Sequence, residues 1–419
     1  MHNKLEKRGE AWYNGAIKSK GNKSLRSFRQ RPFSKTMDTK RKKLINALAV
    51  FLCAALLAAA VILANRAKPA ENNPYYTIRY ELVRVTKVIA ENYTVDENTE
   101  HALRGSQSLN VRVLTGPHKG DEMPIMNYLG PLHEKLAKVG TVLTVTLTSD
   151  SREAGYQMSV VNYDLVPLIA AMLALFVLAV VLIGRKKGVM SLIGLAATLI
   201  AIVFVLIPLW LRGWPAIPLT LGVCVFVAVF SFLLLGGLTK KTAAAMLGTV
   251  LCLVISGAFA LICGSIARVS GNTMSEAEWL MDEAQAMGVT LNVRGLFVSG
   301  ILIASLGAVM DVAMSIASAV NEIAEVDPSL GAGRLFKSGM NIGRDMIGTM
   351  TNTLILAFAG SSLNLMIIMF AAGMQPYQLI NNDDTVMELI RAIAGSLGLV
   401  LAVPLTAAAA SRLMGKKKA

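Results

Sequence analysis

The chain has 419 residues, of which 54% are hydrophobic and 16% are charged, and its mean hydropathy is +0.54. Soluble proteins usually carry about 25% charged residues. This composition excludes an ordinary soluble protein and predicts an α-helical polytopic membrane protein. The net charge of +14 does not indicate nucleic-acid binding, because residues 1–43 alone contribute 14 Lys and Arg against three acidic residues.

The basic segment 1–43 precedes the first apolar run, Leu44 to Ala64. A basic segment before a hydrophobic span is typical of a cytoplasmic terminus, and its charge suits contact with anionic lipid head groups. We therefore predict a disordered cytoplasmic tail over 1–43 and a first transmembrane helix over 44–64. The run resembles a signal peptide but is longer than a usual signal core, which favours an uncleaved anchor over a cleaved leader.

Residues 65–164 are soluble in character and predict a small extracytoplasmic β-rich domain, folded as a barrel or a sandwich. Alternating apolar residues separated by Gly, Pro and Asn are typical of strands and turns. The strand candidates are 77–91, 109–115, 122–126, 141–148 and 156–162. The segment GPHKG at 116–120 is interpreted as a turn between two of them.

Seven further apolar runs predict a membrane domain over 165–411, followed by a basic cytoplasmic tail over 412–419. The predicted spans are 165–183, 189–211, 217–238, 242–267, 295–320, 346–371 and 387–410. Alternate connections carry clusters of Lys and Arg, for example Arg185-Lys186-Lys187 and Lys240-Lys241. Because short basic loops stay in the cytoplasm, we predict about eight transmembrane helices with both termini cytoplasmic.

The sixth predicted span holds a carboxylate, Asp311, inside its apolar run. A carboxylate at that depth costs about 2.5–3.5 kcal/mol on insertion scales, so it needs a partner, a proton or a water-filled cavity. Helical spacing places three more polar residues on the face of Asp311: Ser315, Ser318 and Glu322. The same span offers small residues four apart for close helix packing: Gly300, Ala304 and Ala308.

The seventh predicted span begins with a second polar face and runs in the opposite direction. At 1.5 Å per residue, its Asn352 is expected at about the depth of Asp311. Facing polar groups on consecutive helices satisfy one another at low cost. The candidate site is therefore a polar intramembrane seam made of Asp311, Ser315, Ser318, Glu322, Arg344, Asp345, Thr349, Asn352 and Thr353.

Two interpretations of the polar seam stay open. In the functional one, Asp311 is the titratable or cation-binding group of a path, and Glu322, Arg344 and Asp345 form its cytoplasmic mouth. In the structural one, the seam is only an interhelical hydrogen-bond network. Glu388 and Arg391, one turn apart in the last span, are a second ion candidate or a local helix pair.

The sequence predicts no enzyme, no cofactor and no metal site. The four cysteines lie inside apolar runs without metal-type spacing, and the four histidines lie outside the spans. No HExxH motif or phosphate-binding loop is present. Asp311 and Asp345 lie on neighbouring spans, as the aspartates of intramembrane proteases do, but the Gly-x-Gly-Asp context is missing.

Two long sequence blocks carry a family resemblance, GAVMDVAMSIASA at 307–319 and SGMNIGRDMIGTMTNTLILAFAG at 338–360. With these blocks the chain resembles the YibE/F-like family of bacterial multi-pass membrane proteins. The likeness extends to GPHKG at 116–120, GRKKG at 184–188 and GSLGLVLAVPLTA at 395–407. It implies a multi-pass protein of the bacterial plasma membrane, and it transfers no catalytic residue and no substrate.

We predict a permease or transporter-related protein that moves a small ion or solute along the seam between the sixth and seventh spans. The competing prediction is a non-transporting membrane scaffold whose extracytoplasmic β domain binds a partner. The expected partners are the lipid bilayer, a small ion or solute, and a second copy of the chain or another membrane protein. No nucleic acid is expected.

Overall fold

The computed structural model describes residues 33–66, 76–96, 102–131, 133–150, 156–269, 275–286 and 288–415. These residues form a bundle of long apolar helices and a separate antiparallel sheet. The strands are β1 Tyr76–Asp96, β2 Ala102–Val113, β3 Glu122–Leu129, β4 Val142–Asp150 and β5 Tyr156–Tyr163. The helices are α1 Phe33–Ala64, α2 Val166–Ala201, α3 Ile207–Trp210, α4 Ala216–Gly236, α5 Lys240–Ile266, α6 Ser275–Ala286, α7 Val293–Val326, α8 Ala332–Ser361, α9 Leu363–Ala371, α10 Pro376–Ile380 and α11 Asp383–Met414, with a π-helical segment Ile202–Leu206 between α2 and α3.

The sheet has the strand order β3-β2-β1-β4-β5, and all its pairings are antiparallel. Its edge strands β3 and β5 approach each other, so the sheet curls around a core that includes Val83, Leu109, Leu143 and Val145. All five predicted strands are present. β2 begins seven residues earlier than predicted because β1 continues to Asp96, which pairs with Ala102.

The predicted GPHKG turn joins β2 to β3. Gly116 and Gly120 have positive φ angles of 76° and 102°, a conformation that glycine adopts without strain. The turn closes when the backbone N–H of Gly120 donates to the carbonyl oxygen of Val113 at 2.9 Å. The interpretation of this segment as a turn is therefore confirmed.

Helix α1 begins at Phe33, so it includes the last eleven residues of the segment predicted as a disordered tail. Lys and Arg are good helix formers, and a helix already nucleated in the apolar run extends through them at little cost. The rest of that predicted tail, 1–32, lies outside the described residues. At the other terminus α11 runs to Met414, and 416–419 of the predicted basic tail also lie outside them.

Within the described part of the chain, six helices are long and apolar enough to cross a membrane, or seven if the bent pair α8 and α9 counts as one span. This pair is bent by 53°. The count differs from the predicted eight because the second and third predicted spans fall in one helical segment, Val166–Trp210. These helices indicate a membrane protein.

Arg185 interrupts that long segment. Its φ of 48° and ψ of −132° are not helical. Gly188 has no room for a Cβ atom beside the carbonyl oxygen of Val180. In a continuous helix, eight residues would separate these positions by about 12 Å. The chain therefore bends sharply at Arg185, and the segment is not one straight helix.

Contacts between helix ends and the segments that join the helices define the two ends of the bundle. At one end Asn46 of α1 accepts a hydrogen bond from the backbone N–H of Leu238 at 2.8 Å. At the same end, Gly415 after α11 lies against the start of α8, where a Cβ on Gly415 would be 2.9 Å from the Cα of Ala332. We call this the basic end, because it carries Lys240 and neighbouring cationic residues of the connections.

At the opposite end the side chain of Asn65 donates to the carbonyl oxygen of Phe204 at 2.8 Å. A Cβ on Gly213 would lie 3.5 Å from Val289 Cγ1 in the connection before α7. The chain leaves for the sheet after α1 and returns at Val166, so we call this the sheet end.

Helices α5, α7 and α11 pack against one another at the centre of the bundle. Helix α4 packs against α5 and α7, and α8 packs against α7 and α11. Glycine permits close approach in the centre: Gly248 of α5 lies against Thr406 of α11, and a Cβ on Gly398 would lie 3.1 Å from Ser256. These contacts leave one side of α7 uncovered.

Candidate functional site: a polar groove

Helix α7 has a buried apolar side and an exposed side of small and polar residues. The buried side includes Val309, Val312, Ile316 and Val320, which are fully inaccessible to solvent. The exposed side consists of residues three or four apart, each exposed or half-buried. We call it the polar stripe: Gly300, Ala304, Gly307, Asp311, Ser315, Ser318 and Glu322.

The polar stripe lies between the two helices that flank α7. On one flank Met314 Cε would lie 3.3 Å from a Cβ on Gly236 of α4. On the other, Ala319 lines a pocket together with Ile342 of α8. At 3.6 residues per turn, Met314 and Ala319 stand about 60° and 80° to either side of Asp311. Asp311 therefore lies in a groove between α4 and α8.

Helix α8 turns its own polar face toward the edge of this groove. Ile342, which meets α7 at the shared pocket, lies three and seven residues before Asp345 and Thr349, so the three share a helix face. The opposite, buried side of α8 packs Gly343 against Val403 of α11. One wall of the groove is therefore polar.

The contact between α7 and α8 sets the relative level of the two polar faces. A Cβ on Gly339 would lie 2.9 Å from Val320 Cγ2. The helices are antiparallel, and Asp311 and Gly348 are each nine residues, or about 13 Å, from this contact. Thr349 thus stands level with Asp311, and Asn352 lies about 6 Å nearer the sheet end.

Not all predicted members of the seam come together. Arg344 lies two residues after Ile342, on the far side of α8, and donates to Asn341 Oδ1 of its own helix at 3.3 Å. Glu322 lines the pocket of about 350 Å³ at the basic end, with Asp327 and Leu330. The hydroxyls of Thr349 and Thr353 donate to carbonyl oxygens within α8. Across the described chain, no hydrogen bond or ion pair joins the polar residues of α7 to those of α8.

Some polar side chains elsewhere in the bundle find partners within this chain, whereas the hydroxyls of Thr249, Ser396 and Thr406 are buried without a partner among the described residues. The Thr220 hydroxyl of α4 bonds the Ser299 hydroxyl of α7 at 2.8 Å, and the Ser256 hydroxyl of α5 donates to the carbonyl oxygen of Ala394 at 2.6 Å. The side chains of Asp311 and Ser315 make no such bond to any described residue. Polar groups at this depth need water, a solute or another chain.

A charged cluster near the sheet end was only partly predicted. Arg391 forms an ion pair with Glu388 at 2.5 Å and lies 5.7 Å from the ring centre of Phe297 on α7. Arg294, one turn before Phe297 on α7, donates to the carbonyl oxygen of Leu261 at 3.0 Å. The sequence did not single out Arg294, because a lone arginine at the second residue of a helix is typical of an ordinary interfacial anchor.

No group of three or more His, Cys, Asp and Glu in the described part of the chain is placed to hold a metal ion. All four cysteines, Cys53, Cys224, Cys252 and Cys263, are unpaired thiols. The polar groove is therefore the candidate site on which the proposals rest.

A family model of YibE/F-like proteins matches residues 172–416, more than half of the chain. The chain belongs to the YibE/F-like family. The YibE/F-like match includes the polar stripe and all of α8, and it begins after the sheet, so the GPHKG turn lies outside it. No curated protein and no solved structure matches the chain. Membership confirms the resemblance drawn from the sequence and assigns no activity.

Proposed function

We propose that this YibE/F-like protein crosses the bacterial plasma membrane eight times, with both termini in the cytoplasm. The bend at Arg185 divides the segment Val166–Trp210 into two crossings, and the bent pair α8 and α9 makes one more. The positive-inside rule then assigns the basic end to the cytoplasm, because Lys240 and the Arg185 cluster both lie there. The sheet follows on the outer side.

We further propose that the polar groove conveys a small cation across this membrane. A carboxylate held in an apolar helix without a protein partner favours a proton or a metal cation as its counter-charge. Thr349 at the same level adds a hydroxyl oxygen, and Asn352 adds an amide oxygen one turn away. Carboxylate, hydroxyl and carbonyl oxygens are the ligands that hard cations prefer.

The direction of the polar stripe supports a path as well as a binding point. It runs from Gly300 toward Glu322, which lines the pocket at the basic end. Small side chains in its outer half leave space, and polar ones in its inner half offer ligands. The observation that carries the proposal is the exposed carboxylate of Asp311 among apolar residues without a partner in the described chain.

The test measures cation flux in proteoliposomes under an imposed membrane potential, with protons and Na⁺ as the probes. We expect flux above that of empty liposomes, lost in Asp311→Asn with protein abundance unchanged. The matched control is Glu278→Gln on the exposed surface helix α6, which should keep the flux.

Flux that survives Asp311→Asn would show that Asp311 has no transport role. Collapse of abundance in that variant would make Asp311 a structural residue. If the wild-type chain carries neither cation, the transport proposal fails. The competing prediction of a scaffold whose sheet domain binds a partner would then be preferred.

A further inference from the structure

The polar groove is open on the side that faces away from the bundle. Helices α4 and α8 form its walls and α7 its floor, and no described residue packs over Asp311 or Ser315. Water does not stay in a groove that opens sideways into hydrocarbon, and lipid tails do not satisfy a carboxylate. The groove therefore requires a cover that one chain does not supply in its described part.

Glycines on the same faces point to a second helix. A Cβ atom on Gly300 or Gly307 of α7, or on Gly348 or Gly360 of α8, would meet nothing within 4 Å. Glycine inside a helix costs about 1 kcal/mol relative to alanine, so it usually serves a close approach. Gly339 serves such an approach inside the bundle, whereas these four have no neighbour in the described chain.

Small residues repeated at steps of three and four are typical of helix pairs that approach closely in membranes. On α7 the repeat Gly300, Ala304, Gly307 continues directly into Asp311. The sequence predicted close helix packing on a second, small-residue face of Gly300, Ala304 and Ala308; in the structure Ala308 packs against the core of the bundle, whereas a Cβ on Gly300 or Gly307 meets nothing within 4 Å. The packing partner must therefore come from outside the described chain.

The exposed charges fit a copy of the same surface. Arg344 and Asp345 are adjacent and opposite in sign on α8, so a two-fold axis can pair each with the other residue of a second copy. Asp311 only accepts hydrogen bonds when ionised, whereas the exposed Asn352 amide also donates them. An isologous interface brings acceptors of one subunit to donors of its partner.

We propose that a second copy of this chain covers the polar groove, so that the cation site is complete only in the dimer. The dimer axis runs along the bundle, and the polar stripe of each subunit faces α8 of its partner. The partner's Asn352 then supplies the donor that Asp311 lacks within its own chain. That the covered site binds a cation rests on the proposed function, whereas the dimer itself is inferred from the exposed surface of α7 and α8 alone.

The test is disulfide cross-linking of the full chain in membranes. Cys53 and Cys263 are first replaced by alanine, and the buried Cys224 and Cys252 are kept. A chain with Ser315→Cys on the polar stripe is then co-produced with a tagged chain that carries Arg344→Cys on α8, and the membranes are oxidised with copper phenanthroline. Ser315 and Arg344 are each five residues from the contact between Val320 and Gly339, so they lie at one level. The matched control replaces Ser315→Cys by Leu251→Cys, at an exposed position of α5. Leu251 lies eleven residues from Lys240 and Ser315 lies eleven residues from Val326, so both are equally far from the end of their helix at the basic end.

We expect Ser315→Cys to cross-link to the Arg344→Cys chain several-fold more than Leu251→Cys does. Gly307→Cys, at an open position, paired with Asn352→Cys on α8 provides a second pair with the same expectation should Ser315→Cys be poorly produced. Cross-linking of both no greater than that of the control would overturn the proposal. A cross-link to a different membrane protein would also overturn it, in favour of a heteromeric partner.

The two proposals fail separately. Cross-linked dimers without cation flux would retain the interface and reject transport. Asp311-dependent flux from a chain that cross-links only at the control level would retain transport and reject the dimer.

Discussion

Gly339 of α8 lies against Val320 of α7, with only 2.9 Å between its Cβ position and Val320 Cγ2. This contact brings the two helices together near the basic end and fixes how far each polar face extends from it. As a result Asp311 and Thr349, distant in sequence, stand at one level of the same groove. The register of the groove therefore depends on a position that admits no side chain larger than hydrogen.

Gly339→Ala should destabilise the bundle, because its new Cβ would also lie 3.0 Å from Ala407 Cβ. Overpacking of this kind costs about 1–3 kcal/mol. The measurement is the thermal unfolding midpoint of the purified protein in one detergent. The control is Gly333→Ala in the same helix, where a Cβ meets nothing within 4 Å. A midpoint for Gly339→Ala at or above that of the control would show that the two helices do not approach as described.

The sheet domain contains a buried polar network that should dominate its stability. Gln107 is fully buried, its Nε2 donates to the carbonyl oxygen of Ala137 at 3.1 Å, and its Oε1 accepts from Ala137 N at 2.9 Å. Asn127 Nδ2 also donates to Gln107 Oε1, at 3.1 Å. Because Gln107→Ala leaves these groups unsatisfied, it should cost about 2–4 kcal/mol.

Denaturant unfolding followed by the near-ultraviolet signal of the full chain measures that loss. Gln157→Ala, at an exposed position of β5, is the control and should stay within about 0.5 kcal/mol of wild type. Equal stability of the two variants would mean that the network contributes nothing.

Tyr156 should ionise late in an alkaline titration. Burial raises the pKa of its phenol, and the hydrogen bond to Asp121 Oδ2 at 3.1 Å and the charge of Asp121 raise it further. A raised pKa means that folding favours the neutral phenol. This contribution to stability is complete below the ordinary tyrosine pKa of about 10 and is lost as the pH rises through the folded value.

Tyrosinate absorbance against pH checks this shift. Tyr156→Phe should diminish the late component, whereas Tyr128→Phe, at an exposed position, should leave it in place. Asp121→Asn should move the component only part of the way down, since burial is the larger cause. A late component unchanged by Tyr156→Phe would contradict the assignment.

Much of this fold follows from local patterns in the sequence. Apolar runs long enough to span located the helices, and alternation with Gly and Pro turns located all five strands. The extension of β2 to Ala102 was missed because the segment ALRGSQS does not alternate, and it becomes a strand only by pairing with β1. Gln107 lies in that segment, so its buried network was also out of reach.

The candidate site shows what periodicity leaves open. Helical spacing groups Asp311 with Ser315 on one face, but it does not say which way that face points. The direction is set by Val309, Val312 and Val320, whose larger apolar surface occupies the centre of the bundle. Arg344 was grouped with the mouth because it precedes Asp345, yet one residue turns it about 100° away around the helix.

Cation transport by this protein requires above all that the polar groove is wet and admits cations. The direct measurement is the reaction of Thr349→Cys, in the chain with Cys53 and Cys263 replaced by alanine, with a cationic membrane-impermeant methanethiosulfonate in open membranes. We predict rapid modification at this position and none at Leu251→Cys on the lipid-facing side of α5. A Thr349→Cys thiol as unreactive as that control would contradict the account.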